Sequence, residues 1–168
     1  MNTPVTVTPG EKPIKVVILC HSDNLGGAAV VTYRLAAALR RAGVDARMLV
    51  YTKVSESENV DLVGSRFSRG VKFLAERLRI FLANGCNKKN LFKVSVANVG
   101  MNFHNHHWVR EADVVMLSWV NQGMLSFGGL EKICSLGKPV VWTMHDMWNL
   151  TGICHHAYEC TAYKEQCG

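Results

Sequence analysis

The first third of the chain follows the order strand, glycine turn, helix, glycine, strand. Residues 14–20 form a β-branched apolar run, which is typical of a buried strand, and residues 46–51 are predicted to form a second strand. Between them, apolar residues recur at spacings of three and four over residues 28–39, which predicts a helix, and Gly43 is placed to end it. This order is a βαβ unit, so we expect a parallel sheet with right-handed crossovers.

Strands and helices continue to alternate after this unit. The further elements predicted are strands at residues 60–63, 113–119 and 138–144 and helices at residues 65–82 and 125–136. Residues 84–107 are expected to form a loop with one short strand at 92–96, and residues 147–168 carry no strand or helix pattern. We therefore predict an α/β fold: a Rossmann-like parallel sheet with helices on both faces.

Length and composition favour a single domain. Of 168 residues, 48% are hydrophobic and 19% are charged, which is enough apolar surface for one core and too little charge for a disordered chain. No apolar run approaches the roughly 20 residues that cross a bilayer, and residues 1–15 lack the pattern of a signal peptide. We expect a disordered leader at residues 1–13, one domain at 14–168 and a cytoplasmic protein.

The net charge of +6 is concentrated in one segment. Residues 64–93 carry eight Lys or Arg residues and a single acidic residue, Glu76. Within this segment, the helix predicted at 65–82 has a stripe of apolar residues, which are Phe67, Val71, Leu74, Leu78 and Phe81. The basic residues occupy its remaining faces, so the pattern predicts a basic amphipathic helix.

Polar side chains follow directly after three predicted strands. His21 follows the first strand, Trp119 and Asn121 lie at the end of the strand before the last, and His145 and Asp146 follow the last strand. In an open parallel sheet, ligands bind in the crevice beyond the carboxyl ends of the strands. A lone histidine in such a place is more often an ordinary surface or core residue, but three strand ends together indicate a ligand pocket.

The pair Gly26 and Gly27 opens the first helix. Two residues without Cβ allow a ligand to approach the backbone, and the free N–H groups at a helix start favour a phosphate. A tight turn without any ligand would use the same two glycines, so the pair alone does not decide between these interpretations.

Two common nucleotide-binding motifs are missing from the sequence. The loop at residues 24–29 lacks Gly-x-Gly-x-x-Gly, and the second strand ends at Tyr51 and Thr52 without the acidic residue that would hold a ribose. No Gly-x-x-x-x-Gly-Lys-Ser/Thr sequence occurs either. An NAD enzyme is therefore disfavoured, and the P-loop class is excluded.

The end of the chain is rich in cysteine and histidine, with Cys154, Cys160 and Cys167 beside His155 and His156. These are metal-ligand residue types, but zinc ligands are usually paired at spacings of two to four, and these cysteines are separated by five and six residues. A histidine would also have to supply the fourth ligand. Three alternatives stay open: free thiols, a metal site, or a disulfide, which a cytoplasmic location disfavours.

Two blocks of the sequence carry a family resemblance. The first comprises residues 23–29 (Asp-Asn-Leu-Gly-Gly-Ala-Ala) and 33–36 (Tyr-Arg-Leu-Ala), followed by Gly43 and residues 48–50 (Met-Leu-Val). The second comprises residues 118–121 (Ser-Trp-Val-Asn), 137–148 (Gly-Lys-Pro-Val-Val-Trp-Thr-Met-His-Asp-Met-Trp), 151–152 (Thr-Gly) and 154–155 (Cys-His). Together they resemble bacterial glycosyltransferases of family 4, in the branch that makes surface polysaccharides. The basic middle of the chain shares little of this likeness.

The resemblance implies a GT-B architecture, in which two Rossmann-like domains enclose the active site. This chain would hold only the N-terminal, acceptor-side domain, and the nucleotide-sugar domain with its Glu-x7-Glu motif would be absent. Such a protein transfers a hexosyl group, with retention of configuration, from a nucleotide-sugar to a polysaccharide or lipid-linked acceptor, and it needs no metal or cofactor. The chain would be inactive alone, and a thiol partner of its cysteines would lie beyond Gly168.

Residue by residue, the resemblance assigns a role to each polar group at the strand ends. The roles it implies are catalysis by His145 and Asp146, donor-phosphate binding by Gly26 and Gly27, and acceptor binding by His21, Trp119 and Asn121. In the front-face reaction of the family, the leaving phosphate helps to deprotonate the acceptor.

The basic residues at 65–93 admit two interpretations in this setting. They are either the solvated face of a core-packed helix, or a docking face for an anionic membrane or a polyprenyl-diphosphate acceptor. In the second case the protein would be peripheral on the inner face of the membrane.

A non-catalytic module is the alternative to the transferase. In it, the basic segment binds nucleic acid, and Cys154, Cys160 and Cys167 bind zinc. The cysteine spacing and the lack of aromatic residues interleaved with the basic ones speak against it, since Phe67 and Phe81 belong to the apolar stripe. We therefore expect no nucleic-acid partner.

Overall fold

A computed structural model of the protein describes residues 12–165 and 167. The leader predicted at residues 1–13 lies outside this part of the chain, except for Lys12 and Pro13, which are exposed and outside any helix or strand. No helix among the described residues is both long and apolar enough to span a bilayer.

The described residues form five strands and four helices. In chain order they are β1 (Lys15–Ser22), α1 (Gly27–Arg41), β2 (Asp45–Thr52), β3 (Val60–Leu62), α2 (Arg66–Ala83), α3 (His107–Glu111), β4 (Val114–Leu117), α4 (Phe127–Cys134) and β5 (Val140–Trp142), and a 3-10 turn follows at Ala162–Lys164. The strands form one sheet in the order β3-β2-β1-β4-β5, and every pair is parallel. The predicted Rossmann-like α/β fold is confirmed, and all strands end at the same edge of the sheet.

Successive residues of β1 point to opposite faces of the sheet, and each face has its own core. Ile18 packs in one cluster with Ala36 of α1. Leu19 packs in the other cluster with Val109 of α3 and Ile133 of α4. Helices therefore cover both faces, as the sequence predicted.

The connection between α2 and β4 differs from the expected loop. The strand predicted at residues 92–96 is a single antiparallel bridge between Val94 and Cys154, so it belongs to no sheet. The helix α3 was not predicted, because five residues are too few to display a helical repeat of apolar side chains. The bridge holds the tail against the domain.

The orientation of α2 contradicts one of the two interpretations of the basic segment, a helix packed on the core by its apolar stripe. Phe67 of that stripe is 82% exposed and Leu74 is 65% exposed. The residues of α2 that are buried are Glu76, Arg77 and Ile80.

A buried ion pair explains this orientation of α2. The Glu76 carboxylate accepts a hydrogen bond from the Ala97 amide at 3.0 Å and pairs with Arg77 Nη2 at 3.0 Å. The Arg77 guanidinium in turn donates to the carbonyl oxygens of Leu91 and Val94. Because buried charges must be paired and hydrogen-bonded, these contacts fix which face of α2 is turned inward.

Candidate functional site

A pocket of about 640 Å³ lies at the edge of the sheet where the strands end. It collects side chains from the ends of three strands and from the start of α1. The predicted site residues that line it are His21, Gly26, Gly27, Trp119, His145 and Asp146. The structure therefore brings six of the seven predicted residues together. Both β4 and β5 are shorter than expected, so Trp119 and His145 lie in the loops beyond them.

Asn121 is the predicted site residue that does not line the pocket. It is buried, and its amide nitrogen lies 3.3 Å from His155 Nδ1. A buried residue beside His155 suits a supporting role better than the acceptor contact expected from the sequence.

The start of α1 faces the pocket through Gly26 and Gly27. Gly26 has φ 89° and ψ 165°, a backbone conformation that favours glycine, and no side chain among the described residues caps the helix. By contrast, Ser65 caps α2 and Ser126 caps α4. A Cβ on Gly27 would meet no atom of residues 12–165 within 4 Å, so packing does not require glycine there. The bare amides of this turn are free to bind an anion.

A chain of hydrogen bonds orients His145. The Thr32 hydroxyl donates to the carbonyl oxygen of Ala28 at 2.7 Å and lies 2.5 Å from Ser118 Oγ, which lies 2.7 Å from His145 Nε2. Since Thr32 has one proton and gives it to Ala28, Ser118 must donate to Thr32. His145 Nε2–H then donates to Ser118. In the neutral ring, Nδ1 is left as an acceptor, and none of the described residues bonds to it.

Asp146 is the centre of a second polar network. Its carboxylate accepts hydrogen bonds from His155 Nδ1 at 2.7 Å, from Trp119 Nε1 at 2.8 Å and from the Trp148 amide at 3.0 Å. Burial alone would raise the pKa of Asp146, but these hydrogen bonds from His155, Trp148 and Trp119 outweigh it and hold the pKa below its ordinary value. Asp146 is therefore an ionised carboxylate in a fixed orientation at neutral pH.

The order Asp146, His155, Ser95 has the residue types of a hydrolase triad. His155 Nε2 lies 3.1 Å from Ser95 Oγ. However, Ser95 is completely buried and does not line the pocket, so no substrate can reach its hydroxyl. The network is a support for Asp146 and not a nucleophilic centre.

His21 lies between two aromatic rings at the base of the pocket. Its ring centroid is 5.1 Å from that of Tyr51 and 5.3 Å from that of Trp119. Its Nε2 is buried and has no hydrogen-bond partner among the described residues. Burial lowers the pKa of His21 to about 4, so the ring is neutral at physiological pH.

Sequence reasoning missed several residues of this site. In the sequence, Thr32 does not stand out from the other residues of the predicted helix. Ser118 does not stand out from the end of the predicted strand. His155 had no role in the pocket beyond its place in the resemblance block and among the metal-ligand residue types, because its link to Asp146 depends on the fold of a tail without periodicity. That tail also adds His156 and Tyr158 to the pocket wall.

The three cysteines of the tail are free thiols within the part of the chain that the structure describes. Cys154 is partly buried, whereas Cys160 and Cys167 are exposed, and none is paired. Burial, with smaller contributions from the charges of Cys167 and Cys160, raises the pKa of the Cys154 thiol. Across residues 12–165 and 167, no group of three His, Cys, Asp or Glu residues is placed to hold a metal ion. The zinc alternative therefore gains no support.

Comparison of the chain with models of protein families, with curated proteins and with solved structures finds no match. The glycosyltransferase resemblance therefore depends on the residues that carry it and on the chemistry of the pocket.

Proposed function

We propose that this chain is the acceptor-side domain of a retaining GT-B glycosyltransferase of family 4. The reaction is transfer of a hexosyl group from a nucleotide-sugar to a polysaccharide or polyprenyl-linked acceptor. The observation that carries the proposal is that one pocket joins the uncapped helix start at Gly26 and Gly27 to His145 and Asp146. The family resemblance assigns these same positions to the donor phosphates and the transferred sugar.

The start of α1 supplies the charge stabilisation that the reaction needs. As the bond to the sugar breaks, negative charge develops on the leaving diphosphate. The amides of the first helical turn and the positive end of the helix dipole stabilise that charge. The absence of a Cβ at Gly27 leaves room for the phosphate beside the backbone.

His145 and Asp146 position the reacting sugar. The hydrogen bond to Ser118 leaves His145 Nδ1 as an acceptor for a sugar hydroxyl. Because the same bond fixes the orientation of the ring, the acceptor is held in one position relative to the sugar. Asp146 holds the adjacent Trp119 and His155, and its negative charge lies at the pocket wall. In front-face transfer the departing phosphate receives the acceptor proton, so neither residue has to act as a general base.

The proposal places the protein in the cytoplasm, where nucleotide-sugars are the donors, and peripherally on the inner face of the membrane. It also requires a second domain that binds the nucleotide and carries two glutamates separated by seven residues. The coding sequence downstream of codon 168 tests this requirement directly: an open frame with those features is expected, and a stop codon would count heavily against the proposal.

Binding of pyrophosphate to the isotopically labelled chain tests the donor site. In ¹⁵N–¹H spectra we expect the amide signals of residues 26–29 to shift on titration with pyrophosphate and with UDP. Shifts confined to the basic segment at 64–93 would instead show nonspecific anion binding and would contradict the assignment.

Turnover tests the catalytic residues in a protein that includes the second domain. Release of nucleoside diphosphate is measured with a panel of nucleotide-sugars and a lipid extract as acceptor source. We expect His145→Ala to lower the rate by about 100-fold or more. The matched control is His107→Ala, at an exposed histidine of α3 away from the pocket, and it should leave the rate unchanged.

A further inference from the structure

A second cavity, which we call the basic cleft, opens where β2 and β3 end and α2 begins. Its volume is about 300 Å³. Three of the six residues that line it are basic and none is acidic, and the six are Tyr51, Thr52, Lys53, Leu62, Arg66 and Arg69. None of the three cations pairs with a carboxylate among the described residues. The basic cleft therefore gathers positive charge that the described part of the chain does not neutralise.

Backbone carbonyl groups hold two of these cations in place. Lys53 Nζ donates to the carbonyl oxygen of Val60 at 2.8 Å. Arg69 Nη1 donates to the carbonyl oxygens of Val63 and Gly64, at 3.2 Å and 2.6 Å. An ammonium group has three donors and a guanidinium group has five, so both cations keep donors for a ligand. Because other contacts already fix these side chains, an anion that binds them immobilises little that was mobile before.

The start of α2 reverses the usual charge preference of a helix. Arg66 is the first residue of α2 and Arg69 follows three residues later, and no acidic residue occupies the first turn. The N-terminus of a helix carries partial positive charge, so acidic residues are favourable there and cations are not. A local rule that is broken without an internal compensation is typical of a functional site. Here the compensation would be a bound anion.

The carboxylate closest in sequence to β1 and β2 is already committed to backbone groups. Asp23 is completely buried, and it accepts hydrogen bonds from the amides of Val54 and Ser55 at 2.8 Å each. These bonds tie the segment after Lys53 to the end of β1. Asp23 therefore fixes the position of this side of the cleft and does not pair with its cations.

The basic cleft adjoins the pocket at the ends of β1, β4 and β5. Tyr51 lines the cleft, and its ring centroid is 5.1 Å from that of His21, which lines the pocket. Ser22 of the pocket and Thr52 of the cleft are register partners on neighbouring strands, which lie about 4.8 Å apart. A saccharide that extends from the pocket across the ends of β1 and β2 would therefore enter the cleft.

We propose that the basic cleft binds an acidic sugar residue of the acceptor, one whose ring carries a carboxylate or a phosphate. Guanidinium groups bind both kinds of anion through paired N–H donors. Tyr51, Thr52 and Leu62 add an aromatic ring, a hydroxyl and an apolar side chain to the walls, and these groups suit a sugar ring better than a bare phosphate. That the acidic sugar belongs to the acceptor rests on the proposed function, whereas its binding to the cleft does not.

Titration of the ¹⁵N-labelled chain with single sugars tests the cleft. The probes are glucuronate, glucose 6-phosphate and, as the neutral control, glucose. We expect glucuronate, glucose 6-phosphate or both to shift the amide signals of residues 51–53 and 62 and the Nε–H signals of Arg66 and Arg69, and glucose to shift none of them. The affinity should fall as salt is added, because salt screens the charges. The acidic sugar that binds more tightly identifies the acidic group.

Two variants with equal net charge distinguish a site from general attraction to a basic protein. In Arg66→Gln, we expect the dissociation constant of the better acidic sugar to rise about five- to tenfold, because a charged hydrogen bond is lost. The control Arg79→Gln removes an exposed arginine about 20 Å further along the same helix and should bind like the wild type. Since Arg66 is exposed, Arg66→Gln should unfold at the same urea concentration as the wild type, so lost binding would not reflect lost folding.

The same spectra contain the results that would overturn the proposal. Equal weakening by Arg66→Gln and Arg79→Gln, or no shift at residues 51–53 with either acidic sugar, would show that the cleft is not a site. Tighter binding of pyrophosphate than of both acidic sugars at residues 51–53 would show that the cleft holds a diphosphate instead.

Failure of this inference and failure of the proposed function give different spectra. Shifts in the cleft with acidic sugars, without shifts at residues 26–29 with pyrophosphate, would support the cleft and count against the transferase. The opposite pattern would retain the donor site and show that the acidic-sugar site is wrong.

Discussion

His145 Nε2 donates a hydrogen bond to Ser118 Oγ across 2.7 Å, and this bond fixes the tautomer of a histidine at the pocket wall. The direction follows from the one proton of Thr32, which is committed to the Ala28 carbonyl oxygen. The ring therefore presents Nδ1 as an acceptor, where the opposite tautomer would present a donor. Recognition of a sugar hydroxyl depends on which of the two is present.

Removal of the Ser118 hydroxyl should release this tautomer. In Ser118→Ala, the loss of a bond that contributes about 1 kcal/mol lowers the preference for Nε2–H roughly fivefold. The ¹⁵N chemical shifts of the neutral His145 ring report the tautomer populations directly. Thr32→Val should have a smaller effect in the same direction, and Thr32→Ser, which keeps the hydroxyl, should have none. An unchanged tautomer ratio in Ser118→Ala would show that the chain of hydroxyls does not orient the ring.

Substitution of Gly27 should affect stability and anion binding in opposite directions. Gly27 is helical, and a Cβ on it would lie more than 4 Å from the neighbouring atoms of the described residues. Because alanine lowers the conformational entropy of the unfolded chain, Gly27→Ala should stabilise the fold by about 0.5 kcal/mol. The same methyl group enters the space proposed for the phosphate and should weaken pyrophosphate binding several-fold.

Gly26→Ala is the informative comparison for Gly27. At φ 89° any side chain is strained, so this variant should lose about 1–3 kcal/mol. Urea unfolding and isothermal titration measure the two quantities. If Gly27→Ala binds pyrophosphate as tightly as the wild type, the start of α1 is an ordinary turn.

The sheet and the membership of the pocket could be predicted because they depend on local patterns. Apolar runs bounded by glycines place β1, α1 and β2. The rule that parallel strands end at one edge then gathers His21, Trp119 and His145 without any knowledge of side-chain contacts.

The interior of the site could not be predicted, because its contacts join residues that are distant in the chain. Ser118 and Thr32 meet across 86 positions, and His155 reaches Asp146 only because the tail turns back onto residues 93–95. For α2, the periodicity correctly gave a helix with an apolar stripe, but not the direction of that stripe. The apolar stripe of an amphipathic helix normally faces the core, but in α2 the ion pair of Glu76 and Arg77 lies on the face that is turned to the core.

The stability of the protein should fall as the pH drops from about 6.5 to 4. The folded-state pKa of His21 is lowered to about 4 by burial, whereas in the unfolded chain it is near 6.5. In this range the unfolded chain binds a proton that the folded protein does not, so acidification favours unfolding by up to about 3 kcal/mol. Urea unfolding at a series of pH values, followed by tryptophan fluorescence, measures the effect.

His21→Phe should remove most of this pH dependence. Phenylalanine retains the packing between Tyr51 and Trp119 and has no proton to bind. A smaller slope should persist, because burial, with a contribution from the neighbouring His107, also lowers the pKa of His106. If His21→Phe keeps the full slope of the wild type, the imidazole of His21 is accessible to protons in the folded state.

Because α2 turns Glu76 and Arg77 to the core, substitutions of this pair should destabilise the protein more than substitutions of the apolar stripe. Glu76→Ala leaves Arg77 buried without its partner and removes the acceptor of the Ala97 amide, so it should cost about 3–5 kcal/mol. Phe67→Ser, at a side chain that is 82% exposed, should cost less than about 0.5 kcal/mol. An amphipathic helix packed in the usual way would give the reverse ranking, because deleting a buried phenylalanine costs about 3–5 kcal/mol and an exposed glutamate contributes little. The free energies of unfolding of these two variants, measured side by side, therefore determine which face of α2 is turned to the core, and they do so in the absence of any lipid.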